Sequence, residues 1–435
     1  MLAQILKRWD AIRASYWFLP ALMAVAAVAL SFITTSIDSK IDMTWLDDIT
    51  WLHANTPEGA RSMLSTIAGS MMTVAGVTFS VTIAAVAYTT SQFGPRLLGN
   101  FMRDTGNQIT LGTFIATFLY CLLLLRTVYA QEDTVFVPQI GLLGAILLAI
   151  ASIAVFIYFI HHVAESIHIS NVIADIGREL AGVIGRLPIA DKYAPQEPPP
   201  TLSADFAASA AKLVARDNGY VQNLVDTHLV DTASKHDVVV RVEHGIGEFV
   251  HVGETLALVW PAHKTDDAIL DSLYSAYALG RQRTISQDPM FLVHELIEIA
   301  GRALSPGVND PFTAMSCMDW LRSTMVSLAG CDDPTPYRHD KDGTLRLVVE
   351  QFSFEDMADR ACHSLRPYFC ADPNACVHML EALGRMASEI NGAQRRQIRE
   401  HAQALLQASL DALPDPADQA RVTAAFKTAE QKLQA

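Results

Sequence analysis

Positive charge is scarce in this chain. Its 32 lysines and arginines stand against 46 aspartates and glutamates, a formal net charge of −14 over 435 residues. Nucleic-acid binding needs a basic footprint, so no nucleic-acid partner is expected. Cysteine is sparse too, with six residues. Cys121 lies in an apolar run, while Cys317, Cys331, Cys362, Cys370 and Cys376 lie in the polar part, where a cytoplasmic setting would leave them unbridged. No phosphate loop, nucleophile elbow or dinucleotide fingerprint occurs. Neither an enzymatic site nor a cofactor is expected.

Apolar sequence is plentiful and unevenly placed. The chain is 51% hydrophobic with a mean hydropathy of +0.23, high for a chain with 18% charged residues. Residues 15–160 carry the apolar share, and residues 200–435 read as an ordinary soluble domain. A membrane helix needs about 20 mostly apolar residues. Four runs qualify, over residues 16–35, 62–91, 109–125 and 140–160. The basic start before the first run is also compatible with a signal peptide. The length of the run and the three that follow favour a retained anchor.

Lys7, Arg8 and Arg13 precede span one, and Arg96 and Arg103 lie between spans two and three. Asp38, Asp42, Asp47, Asp48 and Glu58 occupy one loop on the other side, and Glu132 and Asp133 the second. The basic side marks the cytoplasm, which places both termini there in a bacterial inner membrane. Lys40, Arg61 and Arg126 are exceptions. The two arginines, at the outer ends of spans two and three, either snorkel to headgroups or form a cationic vestibule.

Span two stands apart. About 30 residues at 1.5 Å each give about 45 Å, too long for a perpendicular crossing. Ser65, Gly69, Thr73, Gly76 and Ser80 recur every three or four residues and form one stripe of small, weakly polar side chains. Such a stripe serves close helix packing or lines a pore around a symmetry axis. No acidic or basic residue lies within 62–91, which disfavours a proton-coupled pump.

Span four is expected to run on as a cytoplasmic helix to about Leu187, placing His161, Glu165 and His168 on one face with His162 close by. These residues are candidates for an interfacial charge switch or a metal pair, or are polar residues where a helix leaves lipid. A Pro-rich linker follows over residues 188–204.

Residues 205–262 are rich in short strands broken by Gly245, Gly247 and Gly253. The pattern resembles the small β-barrel sandwich of biotinyl and lipoyl domains. No lysine lies between Arg241 and Pro261, so a carrier role is not inferred. From Thr265 onward the pattern is helical, with a possible strand at 344–353. Arg281, Arg283, Asp288, Asn309 and Asp310 cluster around two turns and suggest either helix capping or a cytoplasmic cleft. His294, Glu295 and Glu298 resemble a zinc-protease helix that lacks its second histidine. Cys362, His363, Cys370, Cys376 and His378 match no standard zinc spacing, so no metal is expected.

The segments Thr73–Leu98, Phe159–Ile167, Arg283–Phe291 and Arg302–Ala314 resemble the bacterial predicted-membrane-protein family designated domain-of-unknown-function 2254. The resemblance covers nearly the whole chain and carries no activity. The expected fold is therefore a four-helix membrane domain (1–187), the linker, a small β-barrel-sandwich-like module (205–262) and a mainly helical cytoplasmic domain (263–435). The expected function is a homo-oligomeric membrane protein in the lipid bilayer, a channel with span two on its axis. Mechanosensitive channels of small conductance share that layout, an analogy of architecture only. The alternative is a non-transporting sensor or scaffold.

Overall fold

The computed structural model describes residues 12, 15–40, 56–94, 99, 101, 103–131, 134–186, 206–285, 287–331 and 335–434. The linker at 188–204 lies outside the described residues, as do Lys7, Arg8, Arg13, Asp42, Asp47, Asp48, Arg96, Glu132 and Asp133. The chain falls into two compact units, one over residues 10–168 and one built on residues 169–435.

The first unit contains α1 (Phe18–Asp38), α2 (Pro57–Phe93), α3 (Thr105–Thr127), a hairpin of β1 (Tyr129–Gln131) and β2 (Thr134–Phe136), and α4 (Gln139–Ser166). All four helices are long and apolar enough to cross a membrane. At 37 residues, α2 extends about 55 Å. It starts where Thr56 accepts a bond from the Gly59 N–H, with Pro57 in the first turn, and it ends at Gly94, whose φ of 125° suits glycine. The hub is α3. Its most apolar window is 56% buried, against 22–28% for the other three helices. Leu64 of α2, Tyr120, Cys121 and Leu124 of α3, and Leu142 and Ala145 of α4 form the core. The Tyr120 hydroxyl donates to the Gly141 carbonyl and lies beside that of Thr34, each at 3.2 Å. Thr117 and Ser152 pair at 3.0 Å. In hydrocarbon such polar pairs satisfy groups that lipid cannot, each contributing about 0.6 kcal/mol on average.

The second unit opens with α5 (Ile169–Ile184), which buries Val172, Ile173, Ile176, Leu180 and Val183 along one stripe. Then come β3 (Ala211–Val214), β4 (Gly219–Leu224), α6 (Asp226–His236), β5 (Val239–Val242), β6 (Phe249–Val250), β7 (Thr255–Trp260), α7 (Asp267–Tyr274) and β8 (Tyr277–Gly280). Next are α8 (Pro289–Ala303), α9 (Pro311–Ala329), β9 (Tyr337–His339) and β10 (Leu345–Val348). Four helices finish the chain: α10 (Phe354–Phe369), α11 (Pro373–Arg385), α12 (Gly392–Ala412) and α13 (Pro416–Gln434).

The strands form two open sheets rather than a closed barrel. One runs β3-β7-β5-β10-β9 and the other β6-β4-β8. β10 lies parallel to β5, so residues far beyond 262 complete the first sheet. Val221, Val240, Val259, Leu273 and Leu347 share its core. The YALG segment, expected to be helical, is the strand β8; pairing with β4 buries Tyr277 and Ala278. The helices start on a repeated device. Asp288, Asp310 and Asp372 each cap a helix whose first residue is proline. Aspartate supplies the acceptor for an orphan N–H, and proline lacks the N–H that would have none.

Candidate functional site

The buried face of α2 consists of Leu64, Ala68, Met71, Ala75, Thr78, Thr82, Val86 and Thr89. At about 100° per residue, Ser65, Gly69, Thr73, Gly76 and Ser80 fall on the opposite side. All five are exposed, and a side-chain carbon added at Gly69 or Gly76 would touch nothing within 4 Å. Ala84, Ala87 and Ser91 extend this exposed face. Packing against the other helices among the described residues therefore does not account for the stripe. The Thr73 hydroxyl donates to the Gly69 carbonyl (3.0 Å) and that of Ser80 to Gly76 (2.8 Å). The outward face of α4 offers a contrast: Leu147, Ile150, Ile153, Ile157 and Ile160 are large and apolar.

Polar groups close the helix ends of this unit. Asp38 accepts the Ile140 and Gly141 N–H groups at the start of α4 (2.9 and 3.0 Å). The Arg61 guanidinium donates to the Val128 carbonyl at the end of α3 (2.7 and 3.2 Å). Arg61 thus satisfies a helix C-terminus, where a cation also complements the dipole. Arg126 is exposed.

The histidine cluster separates. His161 and Glu165 meet, at 3.3 Å on an exposed face. His168 lies beyond the end of α4 at Ser166, so it does not continue their helical face. The expected unbroken helix ends at Ser166, where the pattern changes from α4, apolar on nearly every side, to α5, with a single apolar stripe. His162 instead pairs with Asp104 (2.8 Å) and stacks on Tyr158 at 5.2 Å. Asp104 also caps α3 through the Gly106 N–H (2.7 Å). Sequence reasoning missed Asp104, although its position before the third apolar run is an N-cap signal.

The cytoplasmic-turn residues also divide. Arg283 grips both oxygens of Asp288 (2.7 and 2.8 Å) and donates to Nδ1 of His294 (2.9 Å). Asp288 is 3% exposed and also receives the Phe291 N–H, so its oxygens are committed to structure. Gly247, at φ +86°, lies against this pair, and a Cβ there would come within 2.5 Å of Asp288. Arg281 lies apart on an open cleft of about 670 Å³, with Asp217, Asn218, Gln222 and Tyr274 among the lining. Asn309 (φ +50°) and Asp310 sit at the other end of α8, about 22 Å from Asp288 by helix rise. Asp310 holds the Thr313 N–H and hydroxyl (3.2 and 2.6 Å). The five residues therefore make two helix starts and one cleft edge.

The thiols of Cys362, Cys370 and Cys376 are held protonated. Burial pushes Cys362 up to about 12 and Cys376 up to about 11, the latter partly offset by Ser409. Cys376 packs on Ser409 (2.9 Å), and His378 faces Asp319 (3.1 Å). His363 belongs to a different group: the Asp359 carboxylate is 2.8 Å from Nε2 of His401, with the His363 ring beside it. Burial alone raises the Asp359 carboxyl, but hydrogen bonds from Gln397 and His401 outweigh it and hold it below the usual range. The overlooked signal is Asp359 and His363, four residues apart on one helix.

The sequence profile described as a predicted membrane protein, DUF2254, matches residues 13–385. Uncharacterised proteins of Mycobacterium bovis and of Mycobacterium tuberculosis strain H37Rv are each 29% identical to this chain over 425 residues, covering 96% of it and 80% of their own length. No solved structure matches. With four apolar helices and a profile match over most of its length, this chain belongs to the DUF2254 family of predicted membrane proteins.

Proposed function

We propose that the protein is a homo-oligomer of the bacterial inner membrane whose copies meet around the small-residue face of α2, with that face lining a channel-like conductance. The exposure of Ser65, Gly69, Thr73, Gly76 and Ser80 opposite the buried side of α2 carries this reading. Lipid gives no reason to prefer glycine and serine over the isoleucines that α4 presents. A second copy does, since small residues permit close approach and leave room for water on an axis. The absence of charge along 62–91 fits a weakly selective path. Lys7, Arg8, Arg13, Arg96 and Arg103 on one side support cytoplasmic termini. Purified protein in planar bilayers is expected to conduct, and Gly76→Leu to reduce that conductance by narrowing the axis. Silence from well-folded oligomers would count against the channel.

One observation favours a non-transporting sensor or scaffold. The Thr73 and Ser80 hydroxyls already bond their own backbone, so the same face suits a dry contact between copies. Cysteines placed at Ser65, Thr73 and Ser80 separate the two readings. Labelling by aqueous reagents at all three supports a pore, and protection at all three supports the dry contact.

A further inference from the structure

We infer that Asp359, His363 and His401 form a binding site for a divalent transition metal of the zinc class, joining α10 to α12. The three residues each offer one ligand atom, and these atoms all lie within 4.8 Å of one another. Two imidazoles and a carboxylate are a donor set suited to Zn(II), Co(II) or Fe(II) rather than to calcium or magnesium, which prefer oxygen alone. Bound zinc holds such ligands at about 2.0–2.2 Å.

The surroundings are arranged as the outer shell of a metal site. Asp359 and His363 are four residues apart on α10 and face the same way. Nδ1 of His363 lies 2.9 Å from the Asp359 main-chain carbonyl. A carbonyl only accepts, so Nδ1 carries the proton and Nε2 presents its lone pair. Ligating histidines are commonly oriented this way, through the other ring nitrogen. His401 is buried on α12, and its Nε2 hydrogen bond fixes the ring against Asp359. Gln397 donates to the same carboxylate oxygen (2.8 Å) and to the Glu355 carbonyl (3.1 Å), which restrains the acid from a third side. Asp359 and His363 are exposed, giving an ion a route in and leaving coordination positions to water.

Cobalt(II) titration of the full chain in detergent, without a polyhistidine tag, tests this through visible d–d absorption, with zinc as competitor. The wild type is expected to bind one equivalent saturably and to melt at higher temperature with zinc. His363→Ala removes an exposed ligand and should weaken binding more than about 100-fold, since losing even an outer-shell partner costs about 10–100-fold. Asp359→Asn should weaken it comparably, and His378→Ala, outside the site, should leave it unchanged. Far-UV circular dichroism verifies that each variant is folded. Equal cobalt isotherms for wild type and folded His363→Ala, or no saturable binding below millimolar metal, would overturn the assignment.

Discussion

Replacing Arg346 with methionine probes the joint between the two halves of the mixed sheet. Arg346 lies on β10, with Nε 2.7 Å from Asp340 and Nη1 2.9 Å from Asp237. Asp340 is 6% exposed. It also accepts the Ser234 hydroxyl (3.1 Å) and the N–H groups of Asp342 and Thr344 (3.1 and 2.9 Å). Burial alone would raise its carboxyl, but Arg346 and these donors outweigh that and hold it below the usual range. Removing one partner of a buried pair costs about 3–5 kcal/mol, and the three donors left to Asp340 put this case at the low end, about 3 kcal/mol. Where exchange follows opening of the sheet, that corresponds to roughly 100-fold faster amide exchange in β5 and β10. Hydrogen-exchange mass spectrometry on the full chain in detergent reads those peptides directly. The sign with pH is fixed. A carboxyl depressed in the folded state stabilises above its unfolded value of about 4, and that contribution disappears as pH falls through the folded value. The difference between wild type and Arg346→Met should therefore be full near neutrality and shrink in acid. Unchanged exchange at pH 7, or a difference that grows in acid, would refute the reasoning.

Two further substitutions test packing and capping. Gly384→Ala puts a carbon 2.8 Å from Cα of Ala429, a backbone atom that cannot rotate away. It should separate α11 from α13 at a cost of about 1–3 kcal/mol, read as a lower melting temperature. Arg61→Met removes the charged donor to the Val128 carbonyl, and should destabilise the first unit by about 1.5–3 kcal/mol with no change in membrane insertion; thermal unfolding in detergent and carbonate extraction measure the two effects.

The spans were legible because lipid leaves the backbone no alternative to a helix, and the apolar runs mark their own extent. The helix starts at Pro289 and Pro311 were legible for a similar reason, since aspartate followed by proline is a local signal. Pairings set by the fold were not. β10 finds β5 only through shared burial of Leu347 and Val240, which gave no local cue to a sheet completed from beyond residue 262. His162 meets Asp104 across 58 residues, and His401 meets Asp359 across 42. The turn residues misled in the opposite way. Asp288 and Asp310 look alike because both cap helices, and likeness of role suggested one cleft where α8 holds them apart.

Cross-linking at Thr73 reaches the central proposal most directly. In a Cys331→Ser background, where the other native thiols are buried, Thr73→Cys in native membranes should yield covalent dimers on oxidation or with a short bismaleimide. Ile153→Cys on the apolar face of α4 should not. Dimers from Ile153→Cys with none from Thr73→Cys would contradict the assignment of the outward α2 face to contact between copies.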